Sequence, residues 1–198
     1  MLKRLFDIFI SLVGLLILSP LFFIVSIWIK VDSKGTIFFR QERVGLNGEL
    51  FLIHKFRTMS VDAELSGKLT IGNDIRVTKS GFFLRKYKID ELPQLIDVLL
   101  GDMSLVGPRP EVLEFIECYP IDIRNKILSV RPGITDRASI EMVDENEILS
   151  AYSEPRQAYI DHILPFKQSY YLEYVENNSL LIDIKLIFQT IMKIVGKR

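Results

Sequence analysis

Hydrophobic residues are concentrated at the two ends of this chain. Between Asp7 and Lys30 every residue is uncharged, a run of 22 residues. A helix of that length can cross the roughly 30 Å hydrocarbon core of a bilayer. Near the other end, residues 180–195 form a strongly apolar stretch with only three charges. Because this stretch is short for a span, it predicts an amphipathic interface helix or a docking helix, with an ordinary core helix as the alternative.

Ser19 and Pro20 lie at the midpoint of the N-terminal apolar run. Proline removes a backbone donor and kinks a helix, and the hydroxyls of Ser11 and Ser19 could satisfy the backbone groups that it frees. A span would place the N-terminus outside the cell, whereas a bent, re-entrant helix would return to the face it entered. Cations flank the run on both sides and give no clear orientation. Together with the central break, this balance favours re-entrance.

Short β-prone and helical patterns alternate between the two apolar ends. Residues 36–43 and 49–57 flank Asn47-Gly48, a strong hairpin signal. Gly and Pro predict rigid turns over 101–110 and 131–133, and polar composition predicts a loop over 60–75. Helical spacing predicts helices over 80–88, 92–100, 111–128 with a break at Pro120, and 155–175 with a break near Pro165.

These patterns predict an α+β fold with two parts. Residues 1–34 would form a re-entrant membrane helix-break-helix. Residues 35–198 would form a small, mainly helical domain with a β-hairpin and C-terminal amphipathic interface helices.

Composition narrows the class of function. The 25 Lys and Arg residues balance 25 Asp and Glu residues, so the formal net charge is zero and nothing supports a nucleic-acid binder. The single Cys118 excludes an intrachain disulfide framework. With two histidines and one cysteine, a Cys/His zinc site is not favoured. Magnesium held by oxygen ligands stays open.

The Asp90-Glu91 dipeptide lies where a loop enters the predicted helix 92–100. Most acidic residues at a helix start are only caps. An ionised Asp can also act as a nucleophile toward phosphorus or ligate magnesium. The chain also supplies cations next to Gly or Pro turns: Arg85, Arg109 and Arg131. Lys55 and Arg57 share one predicted strand face that could hold an anion, with a solvated face as the alternative. Basic side chains around a carboxylate suggest phosphoryl-group chemistry, in which positioning and charge neutralisation dominate.

Five motifs occur in a characteristic order: the Ser19-Pro20 segment, Lys55-Phe56-Arg57-Thr58-Met59, residues 90–95 (DELPQL), residues 101–110 (GDMSLVGPRP) and residues 130–135 (VRPGIT). In this order the chain closely resembles the bacterial sugar transferases, which are monotopic polyprenyl-phosphate phosphoglycosyltransferases. The resemblance runs over nearly the whole chain. Lacking an additional multi-helix N-terminal region, the chain resembles the minimal catalytic form.

The resemblance implies transfer of a phospho-sugar from a UDP-sugar to a polyprenyl phosphate such as undecaprenyl phosphate. The products would be a polyprenyl-diphosphate-sugar and UMP. It also implies a covalent phospho-sugar intermediate on Asp90 with Mg²⁺, which Asp90 would help to hold. Glu91 would assist, either by taking a proton from the lipid phosphate or by orienting the dyad.

The resemblance further implies roles for the cations and a location. Arg85 would meet a phosphate or lipid head group, Arg109 and Arg131 would hold nucleotide or diphosphate oxygens, and Lys55 and Arg57 would belong to the same basic cluster. The Ser19-Pro20 break would match a re-entrant helix in the bacterial inner membrane, with both ends and the active site on the cytoplasmic face.

The chain departs from the commoner family pattern at two places. Residues Asp136 to Glu141 differ, and Tyr171 stands where many members have Asp, whereas Asp183 is kept. Roles at the departing positions, the sugar, the pathway and the oligomeric state stay open. Two other hypotheses use the same residues differently: a membrane-bound phosphohydrolase with water as acceptor, and a non-catalytic membrane adaptor.

Overall fold

The computed structural model describes residues 1–61, 63, 74–142 and 145–196. Most of the loop predicted over 60–75 lies outside these residues. The described helices are α1 (Leu2–Asp32), α2 (Lys79–Lys86), α3 (Gln94–Leu100), α4 (Leu113–Ile116), α5 (Ile121–Ile127), α6 (Arg137–Glu141), α7 (Glu145–Ser150), α8 (Pro155–Ala158), α9 (Leu164–Asn177) and α10 (Leu180–Val195). The described strands are β1 (Phe38–Val44), β2 (Leu50–Phe56), β3 (Ser104–Val106) and β4 (Gly133–Thr135). The prediction of a mixed, mainly helical chain is confirmed.

Helix α1 is one continuous helix of 31 residues that contains Pro20. Proline cannot donate to the carbonyl four residues earlier, which here belongs to Leu16. The Ser19 hydroxyl donates to that carbonyl instead, at 2.8 Å. The buried Ser11 hydroxyl has no hydrogen-bond partner among the described residues. The proline is therefore accommodated inside the helix, and a re-entrant path stays a prediction.

The predicted hairpin is confirmed. Strands β1 and β2 pair antiparallel from Phe38 opposite Phe56 to Val44 opposite Leu50. The turn between them places Asn47 and Gly48 at positive φ, 55° and 85°, which Asn and Gly adopt most readily.

Two short strands were missed where turns were predicted. Strands β3 and β4 pair in parallel, Ser104 with Gly133 and Val106 with Thr135. The backbones approach closely, because a Cβ on Gly133 would lie 2.1 Å from the Gly107 nitrogen. Glycine is thus required at this crossing, and the Gly and Pro content that suggested irregular turns marks this contact instead.

The predicted helices over 155–175 and 180–195 are confirmed, whereas α6 and α7 before them were not predicted. A π-helical turn at Tyr159–Ile163 joins α8 to α9, and Pro165 lies in the first turn of α9. The predicted break near Pro165 is therefore a local widening of the helix. The predicted break at Pro120 is confirmed, since this residue separates α4 from α5.

One face of α1 packs against the domain along the helix. Near its start, Lys3 forms an ion pair with Asp183 of α10 at 2.6 Å, and Asp7 accepts from the Ser104 hydroxyl at 2.8 Å. Near its end, Val25 and Ile29 belong to a buried cluster with Phe56 and Leu84 (the α1–α2 cluster). Both ends of the helix therefore contact the same domain.

The other face of α1 is apolar and exposed. It is the one described helix that is long and apolar enough to cross a membrane, by length and composition. Helix α10 also buries only part of its surface, with Asp183 and Leu186 inward and a solvent-facing stripe of apolar side chains: Leu181, Ile184, Phe188, Ile191, Met192 and Val195. Exposed Phe83 of α2 adjoins Trp28 of α1, with ring centroids 5.4 Å apart. Exposed apolar surface on this scale is typical of membrane contact.

Candidate active site

A cleft of about 1550 Å³ lies between α1, α2, the hairpin and α10, and Asp90 and Glu91 line it. Both side chains sit in a 3-10 turn at Ile89–Glu91, immediately before α3. Lys88 precedes the turn at φ 56°, a left-handed conformation. This reversal places two adjacent carboxylates on one buried wall, with 7% of Asp90 and 8% of Glu91 exposed.

Two cations hold Glu91. Its Oε1 accepts from Lys55 Nζ at 2.9 Å and from Arg109 Nη2, and its Oε2 accepts from Arg109 Nη1 at 3.2 Å. Such a bidentate contact between guanidinium and carboxylate fixes both groups. In contrast, Asp90 Oδ1 is buried and has no hydrogen-bond partner among the described residues.

The surroundings drive the pKa values of the two carboxyl groups apart. Burial raises the pKa of Asp90 above its ordinary value, and the adjacent Glu91 charge adds to the rise against nearby cations. Burial acts in the same direction on Glu91, but the charges of Arg109 and Lys55 outweigh it and hold its pKa well below the ordinary value. Burial also lowers the pKa of Lys55 to about 8, against the attraction of Glu91. The cations thus hold Glu91 as an anion, whereas burial makes the charged form of Asp90 less favourable.

Arg109 reaches Glu91 because the loop that carries it is held from several sides. The Gly133 nitrogen donates to the Pro108 carbonyl at 2.9 Å, and Arg43 Nη1 donates to the Pro110 carbonyl at 3.1 Å. A Cβ on Gly107 would lie 2.4 Å from the Arg131 carbonyl, so only glycine fits there. Adjacent prolines further restrict the backbone.

Arg85 enters the cleft from α2. Its Nε donates to the Thr58 hydroxyl at 2.9 Å, and its charge acts on Asp90. Helix α2 lies directly against the end of β2, since a Cβ on Gly81 would be 2.0 Å from the Thr58 carbonyl oxygen. The structure therefore brings together Lys55, Arg85, Arg109 and the carboxylate pair.

Two of the predicted phosphate-binding residues, Arg57 and Arg131, make their hydrogen bonds away from the carboxylate pair. Arg57 borders the cleft, but its guanidinium donates to Thr36 and Met59 carbonyls and to both oxygens of Ser33, and so ties the end of α1 to β2. Arg131 is exposed, lies outside the described lining of the cleft, and donates to the Gly101 carbonyl at 2.7 Å. Backbone carbonyls thus engage both side chains, and phosphate binding by Arg57 and Arg131 stays a prediction.

Several cleft residues were missed in the sequence. Lys88 and Arg43 line the cleft, and no Gly or Pro motif singles them out. The buried Lys167 forms ion pairs with Glu111 at 3.4 Å and with Glu145 at 2.9 Å. The partners of these residues lie far apart along the chain, so local sequence carried no signal for them.

The positions at which the chain departs from the commoner family pattern lie outside the Asp90-Glu91 pair. Asp136 caps α6 by accepting from the Ser139 nitrogen at 2.9 Å. Tyr171 is buried, and its hydroxyl has no hydrogen-bond partner among the described residues. Asp183, which matches the family pattern, accepts from Lys3 and from the Tyr174 hydroxyl at 2.8 Å, so it joins α1 to α10.

The predicted magnesium ligand fits the structure in one respect. Asp90 offers a buried carboxylate oxygen that no described group engages, whereas cations occupy both oxygens of Glu91. No group of three His, Cys, Asp or Glu side chains that could hold a metal occurs in the described part of the chain. A magnesium ion held by Asp90 would therefore take its other oxygen ligands from a substrate or from water.

Comparison with known proteins identifies relatives over the full length of this chain. The sequence model of a family described as bacterial sugar transferase matches residues 1–197. The chain is 38% identical over 196 residues to the UDP-glucose:undecaprenyl-phosphate glucose-1-phosphate transferase of Klebsiella pneumoniae. The aligned region covers 96% of this chain and 39% of that protein.

Two further relatives differ in length. Identity is 35% over 195 residues with the UDP-N-acetylgalactosamine-undecaprenyl-phosphate N-acetylgalactosaminephosphotransferase of Aeromonas hydrophila, covering 97% of this chain and 43% of that protein. The chain is also 36% identical over 206 residues to the exopolysaccharide production protein PSS of Rhizobium leguminosarum bv. phaseoli. That aligned region covers 96% of this chain and 94% of the relative. The chain thus spans about two-fifths of the first two relatives and nearly all of the third.

Proposed function

The chain belongs to the bacterial sugar transferase family, and on that premise we propose that it transfers a phospho-sugar from a UDP-sugar to polyprenyl phosphate. The acceptor would be undecaprenyl phosphate, which the names of two relatives state. The observation that carries the proposal is the unpartnered oxygen of Asp90 in a cleft lined by cations. The named relatives use different sugars, so the donor sugar is left open.

The proposed reaction has two steps at Asp90. First, a carboxylate oxygen attacks the phosphorus bonded to the sugar, the bond from that phosphorus to the bridging oxygen breaks, and UMP leaves with the electron pair. Second, a phosphate oxygen of the polyprenyl phosphate attacks the same phosphorus, and the bond to Asp90 breaks to regenerate the carboxylate. Covalent catalysis of this kind divides one difficult displacement into two.

The remaining side chains position substrate and balance charge. Arg85 and Lys88 lie beside Asp90, where phosphate oxygens would arrive. Arg109 and Lys55 are held by Glu91. Because its pKa is held well below the ordinary value, Glu91 is a weak base and acts by orienting these cations. Asp90 is the residue that would hold Mg²⁺, which when bound would supply charge neutralisation for the departing UMP.

The Asp90→Asn variant tests this assignment. Wild type should release UMP from a UDP-sugar with turnover that depends on polyprenyl phosphate, and the variant should lose several orders of magnitude in rate, about as nucleophile removal does elsewhere. Mass spectrometry of wild type mixed with UDP-sugar alone should show a phospho-sugar adduct on Asp90. Near-normal turnover of the variant would refute the covalent step, and lipid-independent release of free sugar phosphate would identify a hydrolase.

We also propose a re-entrant membrane position for α1. At 1.5 Å per residue this helix is about 46 Å long, and yet contacts at both of its ends reach one domain. A helix that crossed the bilayer would leave one end on the far side. Both ends are therefore proposed to face the cytoplasm at the inner membrane, with the apolar faces of α1 and α10 in lipid.

Cysteine labelling tests this topology. In a Cys118→Ser background, Leu2→Cys and Lys34→Cys should both resist a membrane-impermeant maleimide on intact cells. Both should react after permeabilisation, which shows that the sites are accessible. Labelling of the first position from outside would establish a span.

A further inference from the structure

An apolar arm of the cleft extends from Asp90 to the gap between α1 and α10. The residues that line it come from these two helices and from α3 and β3 between them: Ile10, Gly14, Leu95, Leu105, Ile187 and Ile191. Leu95 and Leu105 are buried and form its floor, whereas Ile10 and Ile191 are exposed at its edges. Thr190 of α10 also lines the cleft and is hydrogen-bonded to Thr135, and exposed Lys193 follows farther along the helix. The arm is thus mainly apolar inside and is open on the side where both helices present exposed apolar residues.

The two helices keep this gap because they are joined near their starts. Lys3 of α1 pairs with Asp183 of α10, and the Tyr174 hydroxyl also donates to Asp183. Each helix continues from this junction, and residues from both border the cleft. At Gly14 a Cβ would lie 3.2 Å from Leu95 Cδ1, so a larger side chain here would project into the arm or displace its floor.

The polarity of the cleft changes along its length. At the inner end lie Asp90 and the cations Lys55 and Arg109, and in the arm the α10 lining runs from Ile187 to Ile194. That stretch covers about 10 Å at 1.5 Å per residue. An occupant that satisfies both ends has a phosphate at its terminus and a single hydrocarbon chain. A phospholipid fits less well, because its phosphate is a diester between glycerol and a head group.

We propose that this arm binds the first isoprene units of the polyprenyl phosphate acceptor and directs its phosphate to Asp90. The inference rests on the proposed function, since the acceptor is the substrate of the second step. It assigns to Gly14 and Ile191 a role in acceptor binding that is separate from the donor half-reaction.

The variants Gly14→Leu and Ile191→Trp test the proposal by narrowing the arm from either side. In each, kcat/KM for undecaprenyl phosphate should fall by about tenfold or more. The single UMP release from UDP-sugar without acceptor should keep its wild-type rate. Ile184→Trp is the matched control: this isoleucine lies on the same helix outside the described cleft lining, and tryptophan keeps the stripe apolar, so neither rate should change.

Cross-linking gives a second measurement that does not depend on a variant. Wild type should react with a polyprenyl phosphate that carries a diazirine in its first isoprene units, and the labelled peptides should contain Gly14 or Ile191. Labels confined to other parts of α1 would overturn the proposal, as would variants that match the control or that lose the UMP release equally. A wild type that releases no UMP at all would instead refute the proposed function.

Discussion

The Glu91→Gln variant separates an orienting role for this carboxylate from a role as general base. The substitution keeps the shape of the side chain but removes the charge that Lys55 and Arg109 share. At the 2.9 Å separation from Lys55, the attraction is about 6 kcal/mol at an effective dielectric of 20. Desolvation offsets part of this, and removal of one buried partner commonly costs about 3–5 kcal/mol.

We expect Glu91→Gln to lower the free energy of unfolding by about 3 kcal/mol. This is the lower end of that range, because Lys55 and Arg109 keep some contact with water. For a chain of this size that corresponds to a fall in Tm of about 6–12 °C. Glu173→Gln is the matched control, since Glu173 pairs with Arg137 at 2.7 Å but both side chains are about half exposed. Its cost should stay below about 1 kcal/mol.

The pH dependence of stability has a defined sign. Because the folded pKa of Glu91 lies well below its ordinary value near 4.5, its contribution is fully present above that value. The contribution is lost as pH falls from the ordinary value through the folded pKa. The stability difference between wild type and Glu91→Gln should therefore be constant near neutral pH and should narrow in acid.

The two half-reactions decide between the roles. If Glu91 orients cations, the variant should slow both UMP release without acceptor and turnover with polyprenyl phosphate. If Glu91 instead takes a proton from the acceptor, UMP release should keep its rate and only turnover should fall. Unchanged UMP release together with unchanged Tm would refute the reasoning from the ion pairs.

Two further predictions concern other buried cations. Because its pKa is lowered to about 8, Lys55 should lose its charge above that pH, and kcat/KM should fall on the alkaline side of pH 8. Lys55→Arg should move this decline to higher pH. A decline that stays in place would belong to another group. Lys167→Met leaves Glu111 and Glu145 without their shared cation and should cost about 3–5 kcal/mol in unfolding free energy. Lys126 is the control, because it pairs with Glu176 at 3.6 Å while both side chains are 60% exposed. Lys126→Met should cost less than about 1 kcal/mol in unfolding free energy, and equal losses in the two variants would contradict the reasoning from burial.

Local sequence was enough for the elements whose structure depends on near neighbours. The Asn47-Gly48 turn fixed the hairpin, because few other residues adopt its positive φ. The predicted range of α10 matches the observed helix closely, since uninterrupted apolar spacing between Asn178 and Gly196 leaves little choice of ends. The Asp90-Glu91 turn was likewise expected from its position before α3.

Features that depend on distant contacts could not be predicted in this way. Strand β3 has three residues, and only its pairing with β4 makes it a strand. The direction of Arg131 follows from the carbonyl of Gly101 at the end of α3, which sequence alone does not place beside it. The backbone contacts of Arg57 and Arg131 therefore could not be predicted from the sequence, and phosphate binding by either residue stays a prediction.

The adjacent carboxylates acquire different chemistry from different neighbours. Glu91 gains two direct cation contacts and so remains an anion, whereas Asp90 has cations nearby but no bond to its buried oxygen. A nucleophile needs its electron pair available, and a direct ion pair would stabilise that pair against attack. Glu91 thus allows the cleft to keep Arg109 and Lys55 close to Asp90 without engaging it. In the proposed reaction, an incoming diphosphate would offset the positive charge while an oxygen of Asp90 stays available to attack phosphorus.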